Sequence, residues 1–478
     1  MALLLSLEEG RKQVAEVGHL LRRGHGHVHL LGIGGIGMAG IAVHLAARGF
    51  RVSGCDAAPN RVSDALALRG IEVMAGHARS HLAPDVAWVV KSTAVPDDAP
   101  EAVLARQRGL PVFARGAVLP ALLHGRVSVA VSGTHGKTTT AAMVAQILDA
   151  AGLRPGFCIG GELPSLGGCA AAGGGRYLAV EADESDGTVM LYEPDLAVIT
   201  NIEFDHMEHF ESEESLERCF GLFARNARQA VIYCADDPRA TAVCARLTGS
   251  ISYGFGHGAA FRGVDVRETP RSTGLEIVQS GRSLGRVEVP VPGRHNALNA
   301  VGAFAAAVTA GVDPGRAGAG LATFAPARRR FETFHEGEVT VISDYAHHPT
   351  EIRALVQTAL PLKKGRVLAV FQPHRYTRTR ALGADFPPAF EGLDEVVLVP
   401  VYEASERPLE GGTSQDLLRR FEAFGRVKTR YAESLEEAWD GLRLELRPGD
   451  LLLVVGAGDV EKIASWAKEF LETQETKR

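Results

Sequence analysis

The sequence predicts an α/β protein of three domains, each built mainly on a parallel sheet. The chain has 478 residues, and about three domains are expected at that length because one hydrophobic core rarely organises so many residues. Apolar strand-like runs alternate with helical stretches along most of the chain, which is typical of parallel sheets flanked by helices. The alternation starts anew near residues 125 and 333, so the expected domains are 1–124, 125–332 and 333–478.

The first domain is expected to begin its sheet at the strand HVHLLG, which leads into a helix near residues 36–48. Its expected strands are HVHLLG (27–32), RVSGCD (51–56), VAWVVKST (86–93) and LPVFAR (110–115). Each strand is separated from the next by a helical or turn-rich stretch. This spacing predicts parallel neighbours joined by crossover helices.

The central domain repeats the pattern and then departs from it. Its expected parallel strands are RVSVAVSG (126–133), YLAVEADESD (177–186), DLAVITNIEFDH (195–206) and AVIYCADD (230–237). Residues 261–293 instead carry short alternating strands with turn residues and no helical period. This change predicts a small antiparallel patch, closed by a helix that begins near Asn296.

The last domain is predicted to hold another sheet covered by helices on both faces. Its expected strands are VTVISDYAHHP (339–349), GRVLAVFQPH (365–374), EVVLVPVYE (395–403) and DLLLVVGAGD (450–459). Helical stretches separate these strands, as in the first domain.

Composition narrows the class of protein. A net charge of −6 gives no electrostatic case for a nucleic acid or an anionic membrane partner. The start MALLLSLEEG lacks a basic region, so we expect no signal peptide. The apolar run at residues 297–312 is too short to cross a bilayer. The six cysteines form no CxxC pair, so neither zinc nor a disulfide framework is indicated. We expect buried, reduced thiols in a cytoplasmic enzyme.

The first glycine-rich loop lies in HLLGIGGIGMAGIAVHLAARGF (29–50). Gly32, Gly34 and Gly37 match the fingerprint of a dinucleotide-binding turn, and Asp56 ends the next strand. Glycines let the backbone approach a pyrophosphate at a helix N-terminus, but nothing in this arrangement recognises nicotinamide. The loop therefore predicts a pyrophosphate ligand, either a nicotinamide cofactor or a UDP-sugar.

The second glycine-rich loop, GTHGKTTT (133–140), is more specific. Lys137 is expected to reach the terminal phosphates of a nucleotide, and the Thr138 hydroxyl is suited to ligate Mg²⁺. The loop has the shorter GxxGKT form, since Val131 replaces the first glycine of the usual spacing. A strand before it and a helix after it support a nucleotide-binding loop.

Acidic residues follow two strands of the same expected sheet. Two groups follow the two strands, Glu181, Asp183, Glu184 and Asp186 after the first and Glu203, Asp205 and His206 after the second. Ligands of open parallel sheets gather at the carboxyl ends of the strands, where this loop also lies. A carboxylate and an imidazole at that edge can complete Mg²⁺ coordination, so we favour a metal–ATP site.

Seven motifs, in this order, resemble those of the Mur ligases, and with the first glycine loop and the final GAGD they cover essentially the whole chain. The motifs are GTHGKTTT, EADESDG, TNIEFDHME, GRHNALNA, RRRFE, DYAHHPTE and FQPHRYTRTR. The last two are similar to the alanine-adding branch of the family. The resemblance implies a Rossmann-like UDP-sugar domain, a central P-loop ATPase domain and a Rossmann-like C-terminal domain.

The resemblance also implies a reaction, its cofactors and its partners. UDP-N-acetylmuramate, L-alanine and ATP would give UDP-N-acetylmuramoyl-L-alanine, ADP and phosphate through an acyl phosphate, in peptidoglycan synthesis. Mg²⁺ would assist, with two ions expected and Mn²⁺ as a substitute. The expected partners are these small substrates, without nucleic acid or membrane, and the expected state is a monomer or weak homodimer.

Individual roles follow from the resemblance alone. The implied catalytic residues are Lys137, Glu181, His206, Arg330 and Asp344, with Thr138, Glu181 and His206 as metal ligands. The implied ATP-binding residues are Gly133, Thr134, His135, Gly136, Lys137, Thr138, Thr139, Asn296, Asn299, Arg330 and Asp344. The implied UDP-sugar residues are Gly32, Gly34, Gly35, Ile36, Gly37, Asp56 and Ser92. The implied amino-acid and acyl-group residues are His347, His374, Arg375 and Arg378.

Several alternatives stay open. Asn296 could cap its helix instead of, or as well as, contacting adenine, and Arg329 could replace Arg330. A nicotinamide dehydrogenase would leave Lys137 unexplained, and a P-loop switch would hydrolyse ATP without forming an amide. A related ligase that attaches a preformed peptide is the nearest competitor. The base that deprotonates alanine is not identified by the sequence.

Overall fold

The computed structural model describes residues 6–206, 209–404 and 406–476. The apolar start at residues 1–5 and the end of the TNIEFDHME motif at 207–208 lie outside the described residues. Three sheets of five, ten and six strands follow one another along the chain. This architecture confirms the predicted α/β class, with mostly parallel sheets and a small antiparallel patch.

The first sheet is parallel throughout, with the order β3-β2-β1-β4-β5. Its strands are β1 (His27–Leu31), β2 (Arg51–Asp56), β3 (Glu72–Ala75), β4 (Val86–Lys91) and β5 (Val112–Ala114). Its helices are α1 (Leu7–Arg23), α2 (Ile36–Ala46), α3 (Arg61–Ala67), α4 (Pro100–Gln107) and α5 (Arg115–Leu122). The switch between β2 and β4 on either side of β1 puts the first glycine loop at the crevice where such sheets bind ligands.

The central sheet has ten strands. They are β6 (Val127–Ser132), β7 (Gly156–Leu163), β8 (Gly168–Ala171), β9 (Tyr177–Glu181), β10 (Leu196–Ile199), β11 (Ala230–Cys234), β12 (Ser250–Gly254), β13 (Phe261–Glu268), β14 (Thr273–Gln279) and β15 (Arg282–Val289). The order is β15-β14-β13-β12-β11-β10-β6-β9-β7-β8. β13, β14 and β15 are antiparallel, as predicted, and the antiparallel pairing of β7 with β8 was not predicted.

Five helices belong to the central region of the chain. They are α6 (Lys137–Ala150), α7 (Glu213–Arg225), α8 (Pro238–Cys244), α9 (Arg294–Thr309) and α10 (Pro314–Ala322). The alanine-rich α9 packs closely because its side chains are small, and a Cβ at Gly302 would lie 2.7 Å from the Tyr253 ring. Within the described residues, no helix combines the length and the apolar character that a bilayer span requires.

The third sheet has the order β16-β17-β21-β18-β19-β20. Its strands are β16 (Glu332–Glu336), β17 (Thr340–Asp344), β18 (Val367–Phe371), β19 (Glu395–Leu398), β20 (Lys428–Tyr431) and β21 (Leu451–Val455). The accompanying helices are α11 (Pro349–Ala359), α12 (Tyr376–Ala381), α13 (Phe386–Ala389), α14 (Ser414–Phe424), α15 (Leu435–Glu445) and α16 (Glu461–Thr476). Only the edge strand β16 runs antiparallel to its neighbour.

The three sheets are joined by short connections. The first connection runs from the end of α5 at Leu122 to the start of β6 at Val127. The second runs from the end of α10 at Ala322 to the start of β16 at Glu332. One buried apolar cluster runs from Val28 on β1 to Phe220 on α7, so the first two sheets share a core. The residue limits 124 and 332 stay predictions, and the shared core leaves no sharp division at the first of them.

Candidate functional site

The first glycine loop connects β1 to α2. Gly32 has a φ of +80°, a conformation that glycine adopts without steric cost. The Gly34 N–H donates to Asp56 Oδ2 at 2.9 Å, and a Cβ at Gly34 would lie 2.9 Å from the same oxygen. Asp56 therefore holds the loop in shape. Gly35, which caps α2, has no side chain to occupy the N-terminal amides of the helix.

The remaining first-loop candidates surround the same turn. A Cβ on Gly32 would lie 3.0 Å from the Ser92 Cβ, so Ser92 adjoins the loop. Ile36 and Gly37 open α2, and a Cβ on Gly37 would lie 2.8 Å from Arg115 Nη1. The predicted group is therefore brought together in space, and Arg115 joins it although the sequence interpretation did not select that arginine.

Arg115 connects this region to the central domain. Its Nη2 lies 3.0 Å from Asp186 Oδ2 and 3.6 Å from Asp183 Oδ2. A cavity of about 80 Å³ beside it is lined by Gly37 at one side and by Gly160 and Glu181 at the other. The cavity thus leads from the helix that follows the first loop to the acidic edge of the central sheet.

The second glycine loop connects β6 to α6. Gly133 and Gly136 have φ values of +129° and +79°. A Cβ on Gly136 would lie 2.6 Å from Asn299 Oδ1, and one on Gly133 would collide with Thr200. Both positions therefore require glycine. Thr134 also donates through its hydroxyl to the Glu203 carbonyl at 2.9 Å.

Lys137 lies folded over this loop. Its Nζ donates to the carbonyls of Gly133 and Thr134 at 2.7 and 2.9 Å, and to Glu184 Oε1 at 2.8 Å. Burial opposes the charged form, but Glu184 prevails and raises the pKa of Lys137. Glu184 is completely buried, so the ammonium group neutralises a carboxylate that water does not reach.

Two of the three predicted metal ligands are in direct contact. Thr138 Oγ1 donates to Glu181 Oε1 at 3.0 Å, and the Gly160 N–H donates to Glu181 Oε2 at 2.6 Å. Burial raises the pKa of Glu181. His206 joins the group through Glu184, since its Nε2 lies 3.5 Å from Glu184 Oε1. The donor set is rich in oxygen, which suits Mg²⁺.

A larger cavity of about 490 Å³ lies between the second loop and the C-terminal domain. Seven of the predicted ATP residues line it, and these are His135, Gly136, Thr139, Asn296, Asn299, Arg330 and Asp344. Apolar side chains, including Tyr253, Leu298 and Phe324, complete its walls. A volume of this size and mixed character is typical of a pocket for a small organic ligand.

Asn296 does not cap its helix. α9 begins at Arg294 with Gly293 as the N-cap residue, so the capping interpretation is wrong. The Asn296 Nδ2 instead donates to the Pro292 carbonyl at 2.7 Å. Asn296 nevertheless lines the cavity together with Asn299, about one helical turn along.

The guanidinium groups of the two neighbouring arginines of the RRRFE motif both lie beside the Tyr345 ring, Arg329 at 5.0 Å and Arg330 at 5.2 Å from its centre. Their other contacts differ. Arg330 lines the large cavity. Arg329 reaches into the C-terminal domain, where its Nη2 donates to the carbonyls of Gly456 and Gly458. The GAGD segment is thus bound by Arg329, while Arg330 remains at the cavity.

Asp344 fixes the connection that carries these arginines. Its two carboxylate oxygens accept the N–H groups of Phe331 and Ala346 at 2.7 and 2.8 Å. Burial raises the pKa of Asp344, although Arg330 opposes the shift. Phe331 has a φ of +52°, so this carboxylate holds a conformation that a non-glycine residue rarely adopts.

His135 of the second loop contacts one glutamate of the central domain and one of the C-terminal domain. Its Nε2 lies 2.8 Å from Glu203 Oε2, and its Nδ1 lies 3.3 Å from Glu351 Oε1 on α11. Burial lowers the pKa of His135, but the hydrogen bonds with the two glutamates prevail and raise it to about 9. Sequence reasoning missed Glu351, although it ends the DYAHHPTE motif.

Three of the four predicted amino-acid residues gather near Asp205. The rings of His347 and His374 lie 5.6 Å apart, and Arg378 Nη1 lies 3.3 Å from His374 Nδ1. Arg378 also forms two hydrogen bonds with Asp205. Burial lowers the pKa of His347 to about 4 and that of His374 to about 3. Both rings are therefore neutral near pH 7.

Arg375 takes a different direction from the other three. Its Nη1 donates to Glu406 Oε1 at 3.3 Å, and the same carboxylate accepts the Thr377 N–H at 3.0 Å. Its φ of +71° places it at the turn before α12. The structure therefore separates Arg375 from the histidine cluster by an ion pair of its own.

Known proteins resemble the chain over most of its length. The models "Mur ligase family, catalytic domain", "Mur ligase middle domain" and "Mur ligase, glutamate ligase domain" match residues 27–126, 131–307 and 329–458. The UDP-N-acetylmuramate–L-alanine ligase of Symbiobacterium thermophilum is 40% identical, over 94% of this chain and 96% of that protein. The corresponding ligase of Kineococcus radiotolerans is 43% identical, over 92% and 94% of the two chains.

A solved structure shows the same architecture. The crystal structure of UDP-N-acetylmuramate-alanine ligase from Thermotoga maritima superimposes with a TM-score of 0.81 at 28% identity. The match covers 95% of this chain and 100% of that chain. Since three consecutive family models and near-full-length relatives agree with the arrangement of both glycine loops, the chain belongs to the Mur ligase family.

Proposed function

We propose that the chain is an ATP-dependent ligase that joins L-alanine to the carboxylate of UDP-N-acetylmuramate. It would act in the cytoplasm, in the synthesis of peptidoglycan precursors. The observation that carries this proposal is the small cavity between Gly37 and Glu181. A nucleotide sugar bound at the first glycine loop would extend its acyl end through this cavity. That end would then reach a phosphate group bound at the second glycine loop.

ATP fits the larger cavity. Asn296 and Asn299 would face the base, the amides of residues 133–139 would surround the phosphates, and Arg330 would lie beside them. Asp344 would act at a distance, because it holds the backbone at Phe331 and so positions the neighbouring Arg330. Arg329 already donates hydrogen bonds to the carbonyls of Gly456 and Gly458. This favours Arg330 as the arginine that contacts the nucleotide.

The residues present fit Mg²⁺. Thr138, Glu181 and His206 would hold it, with a second ion at the neighbouring acidic edge and Mn²⁺ as a substitute. When bound, the ion would offset the negative charge that accumulates as two anions approach. Thr138 and Glu181 already adjoin, so little rearrangement of these two side chains is needed.

The UDP-sugar would lie on the first loop. The N-terminal amides of α2, at Ile36 and Gly37, would face its pyrophosphate. Gly32, Gly34 and Gly35 would allow close approach, while Asp56 and Ser92 would hold the turn in shape. Arg115 would then lie between this ligand and the acidic edge, where its charge favours the passage of the substrate carboxylate.

The chemistry would proceed in two transfers. A carboxylate oxygen of the muramoyl group attacks the γ-phosphorus of ATP, the bond to the β-phosphate oxygen breaks, and ADP leaves. Lys137 would release its carbonyl contacts and follow the phosphates. The neutral amine of L-alanine then attacks the acyl carbon, phosphate leaves, and the amine loses a proton.

The incoming amino acid would bind near Asp205. His347 and His374 are neutral and Arg378 is charged there, so the group can accept one proton and bind one carboxylate. Arg375 would contribute by ordering the turn before α12. All of these groups belong to one chain, so a monomer or weak homodimer suffices.

Mass spectrometry of the product tests the proposal. The full chain is incubated with ATP, Mg²⁺ and UDP-N-acetylmuramate, while L-alanine, glycine, serine and a tripeptide are offered together. We expect the L-alanine adduct to predominate. A tripeptide adduct would instead indicate a peptide-recycling ligase, and ATP hydrolysis without any adduct would overturn the ligase assignment.

A further inference from the structure

A second group of metal-ligating side chains lies in the first domain, apart from the residues assigned to either substrate. Cys55 on β2, His77 after β3 and Glu101 on α4 have donor atoms within 4.8 Å of one another. Cys55 and Glu101 are completely buried, and the side chain of His77 is 20% exposed. The proposed ligase chemistry uses none of them.

The distances within this group match those of a zinc site. Cys55 Sγ lies 3.4 Å from His77 Nδ1 and 3.4 Å from Glu101 Oε1. His77 Nδ1 lies 3.2 Å from Glu101 Oε2. Ligand atoms around a tetrahedral zinc ion are roughly 3.3–3.6 Å apart, given bonds of about 2.0–2.3 Å. Each pair of side chains is therefore spaced as two zinc ligands are, with Cys55 beside one carboxylate oxygen of Glu101 and His77 beside the other.

Further nitrogen atoms adjoin the group. His81 Nδ1 lies 3.1 Å from Glu101 Oε1. His29, completely buried on β1, has a ring Nε2 without a hydrogen-bond partner among the described residues. β1 pairs His29 with Ser53 and Leu31 with Cys55, so His29 and Cys55 lie on the same face of the sheet. The described residues thus leave one buried nitrogen unsatisfied on the face of the sheet that carries Cys55.

We propose that Cys55, His77 and Glu101 bind one Zn²⁺ ion, while His81 orients Glu101 through its contact with Oε1. A thiolate and an imidazole favour zinc over Mg²⁺, which prefers oxygen. A dication would also balance the charges of a buried carboxylate and a buried thiolate. The site has no recognisable sequence pattern, because the ligands lie 22 and 24 residues apart and do not form a CxxC pair.

The ion would join three segments below the first glycine loop. Cys55 belongs to β2, Glu101 to α4, and His77 to the turn after β3. The Cys55 carbonyl also accepts the N–H groups of Gly32 and Ile33 at 2.8 and 3.1 Å. A metal on the Cys55 sulfur would therefore stabilise the end of β2, whose backbone holds the first glycine loop through these hydrogen bonds.

Cobalt spectroscopy tests the site in the full chain. The protein is freed of metal with a chelator and titrated with Co²⁺ in excess Mg²⁺, which occupies oxygen-rich sites. We expect one equivalent of Co²⁺ to give a thiolate-to-cobalt charge-transfer band that Zn²⁺ then abolishes. The Thr138–Glu181 group and the His135–Glu203–His348 group contain no thiol, so they cannot produce this band.

Matched cysteine variants identify the ligand. Cys55→Ser should abolish the band and weaken Zn²⁺ binding at least 10-fold to 100-fold. Cys244→Ser, which alters an equally buried thiol on α8, should leave both unchanged. Absence of the band in the unmodified chain would overturn the proposal, even if Cys55→Ser fails to fold. A band that survives Cys55→Ser would overturn it as well.

Discussion

Arg378 of the C-terminal domain and Asp205 of the central domain form a buried ion pair with two parallel hydrogen bonds. Arg378 Nε lies 3.1 Å from Asp205 Oδ1, and Arg378 Nη2 lies 3.1 Å from Asp205 Oδ2. The side chains are 4% and 5% exposed. Because Asp205 directly precedes His206, the pair connects the proposed amino-acid pocket to a proposed metal ligand.

Replacement of Arg378 by lysine should weaken this connection. An ammonium group keeps the charge but cannot form both hydrogen bonds, so the buried Asp205 carboxylate loses at least one of its partners. We expect the free energy of unfolding to fall by about 1–3 kcal/mol and ligase turnover to fall as well. Urea denaturation and phosphate release measure the two effects.

Arg380→Lys is the control for that change. Arg380 lies on the same short helix α12 but is exposed to solvent. The exposed arginine should tolerate the substitution with less than about 0.5 kcal/mol of destabilisation. Equal effects at the two positions would show that the buried pair has no special importance.

Lys137→Met should abolish amide formation without weakening UDP-sugar binding. The ammonium group is proposed to contact the phosphates of ATP, and a loss of about 10²–10³-fold in turnover is typical when such a stabilising group is removed. Mass spectrometry measures the amide product, and titration calorimetry with UDP-N-acetylmuramate measures the affinity.

The double variant Lys137→Met/Glu184→Gln separates catalysis from folding. Glu184 is completely buried beside Lys137, so the single variant leaves a buried carboxylate without its ammonium partner. The double variant removes that charge and should recover stability but not turnover. If it folds and nevertheless loses UDP-sugar affinity, the proposed division of roles between the two glycine loops is wrong.

The sequence predicted the elements whose signals are local. Both glycine loops carry their signal within a few residues, because Gly133 and Gly136 adopt positive φ between a strand and a helix. The antiparallel patch was found because its alternation persists over three strands. Six strands were missed, and these are β3, β7, β8, β12, β16 and β20. Four of them, β3, β8, β16 and β20, have only four or five residues at a sheet edge, which give little periodicity.

Contacts between domains were beyond the reach of the sequence pattern. Arg378 and Asp205 are 173 residues apart, and Arg115 meets Asp186 from a position 71 residues away. Such pairs depend on how the sheets pack against each other, which local propensity does not encode. The capping role considered for Asn296 was wrong for a local reason, because Gly293 is the N-cap residue and the helix begins at Arg294.

The two neighbouring arginines should have separable roles. Arg330→Ala removes a cation at the cavity and should raise the Kd for ATP about 10-fold to 150-fold, the value of a charged hydrogen bond of about 1.5–3 kcal/mol. Arg329→Ala removes contacts with Gly456 and Gly458. It should lower the free energy of unfolding while ATP affinity stays near that of the parent chain. The reverse result in calorimetry and denaturation would assign the nucleotide contact to Arg329.

Stability should depend on pH through His135. Its folded-state pKa of about 9 lies above the ordinary value of 6.5. The protonated ring therefore adds fully to the free energy of unfolding below pH 6.5, and this stabilisation is lost as the pH rises through 9. The groups that face the ring are Glu203, Glu351 and the tilted ring of His348, 4.7 Å away. We expect the free energy of unfolding to decrease by on the order of 3 kcal/mol between pH 6.5 and 10.

His135→Asn isolates this contribution, because asparagine keeps a polar side chain that does not titrate. Urea denaturation across the same pH range should show a shallower decline for the variant than for the parent chain. The difference should appear mainly between pH 7 and 9.5, where only the parent loses a proton from this position. Since Glu203 and Glu351 belong to different domains, X-ray scattering of the parent chain should also show expansion above pH 9. Parallel pH profiles for the two proteins would mean that His135 does not couple the domains by its charge.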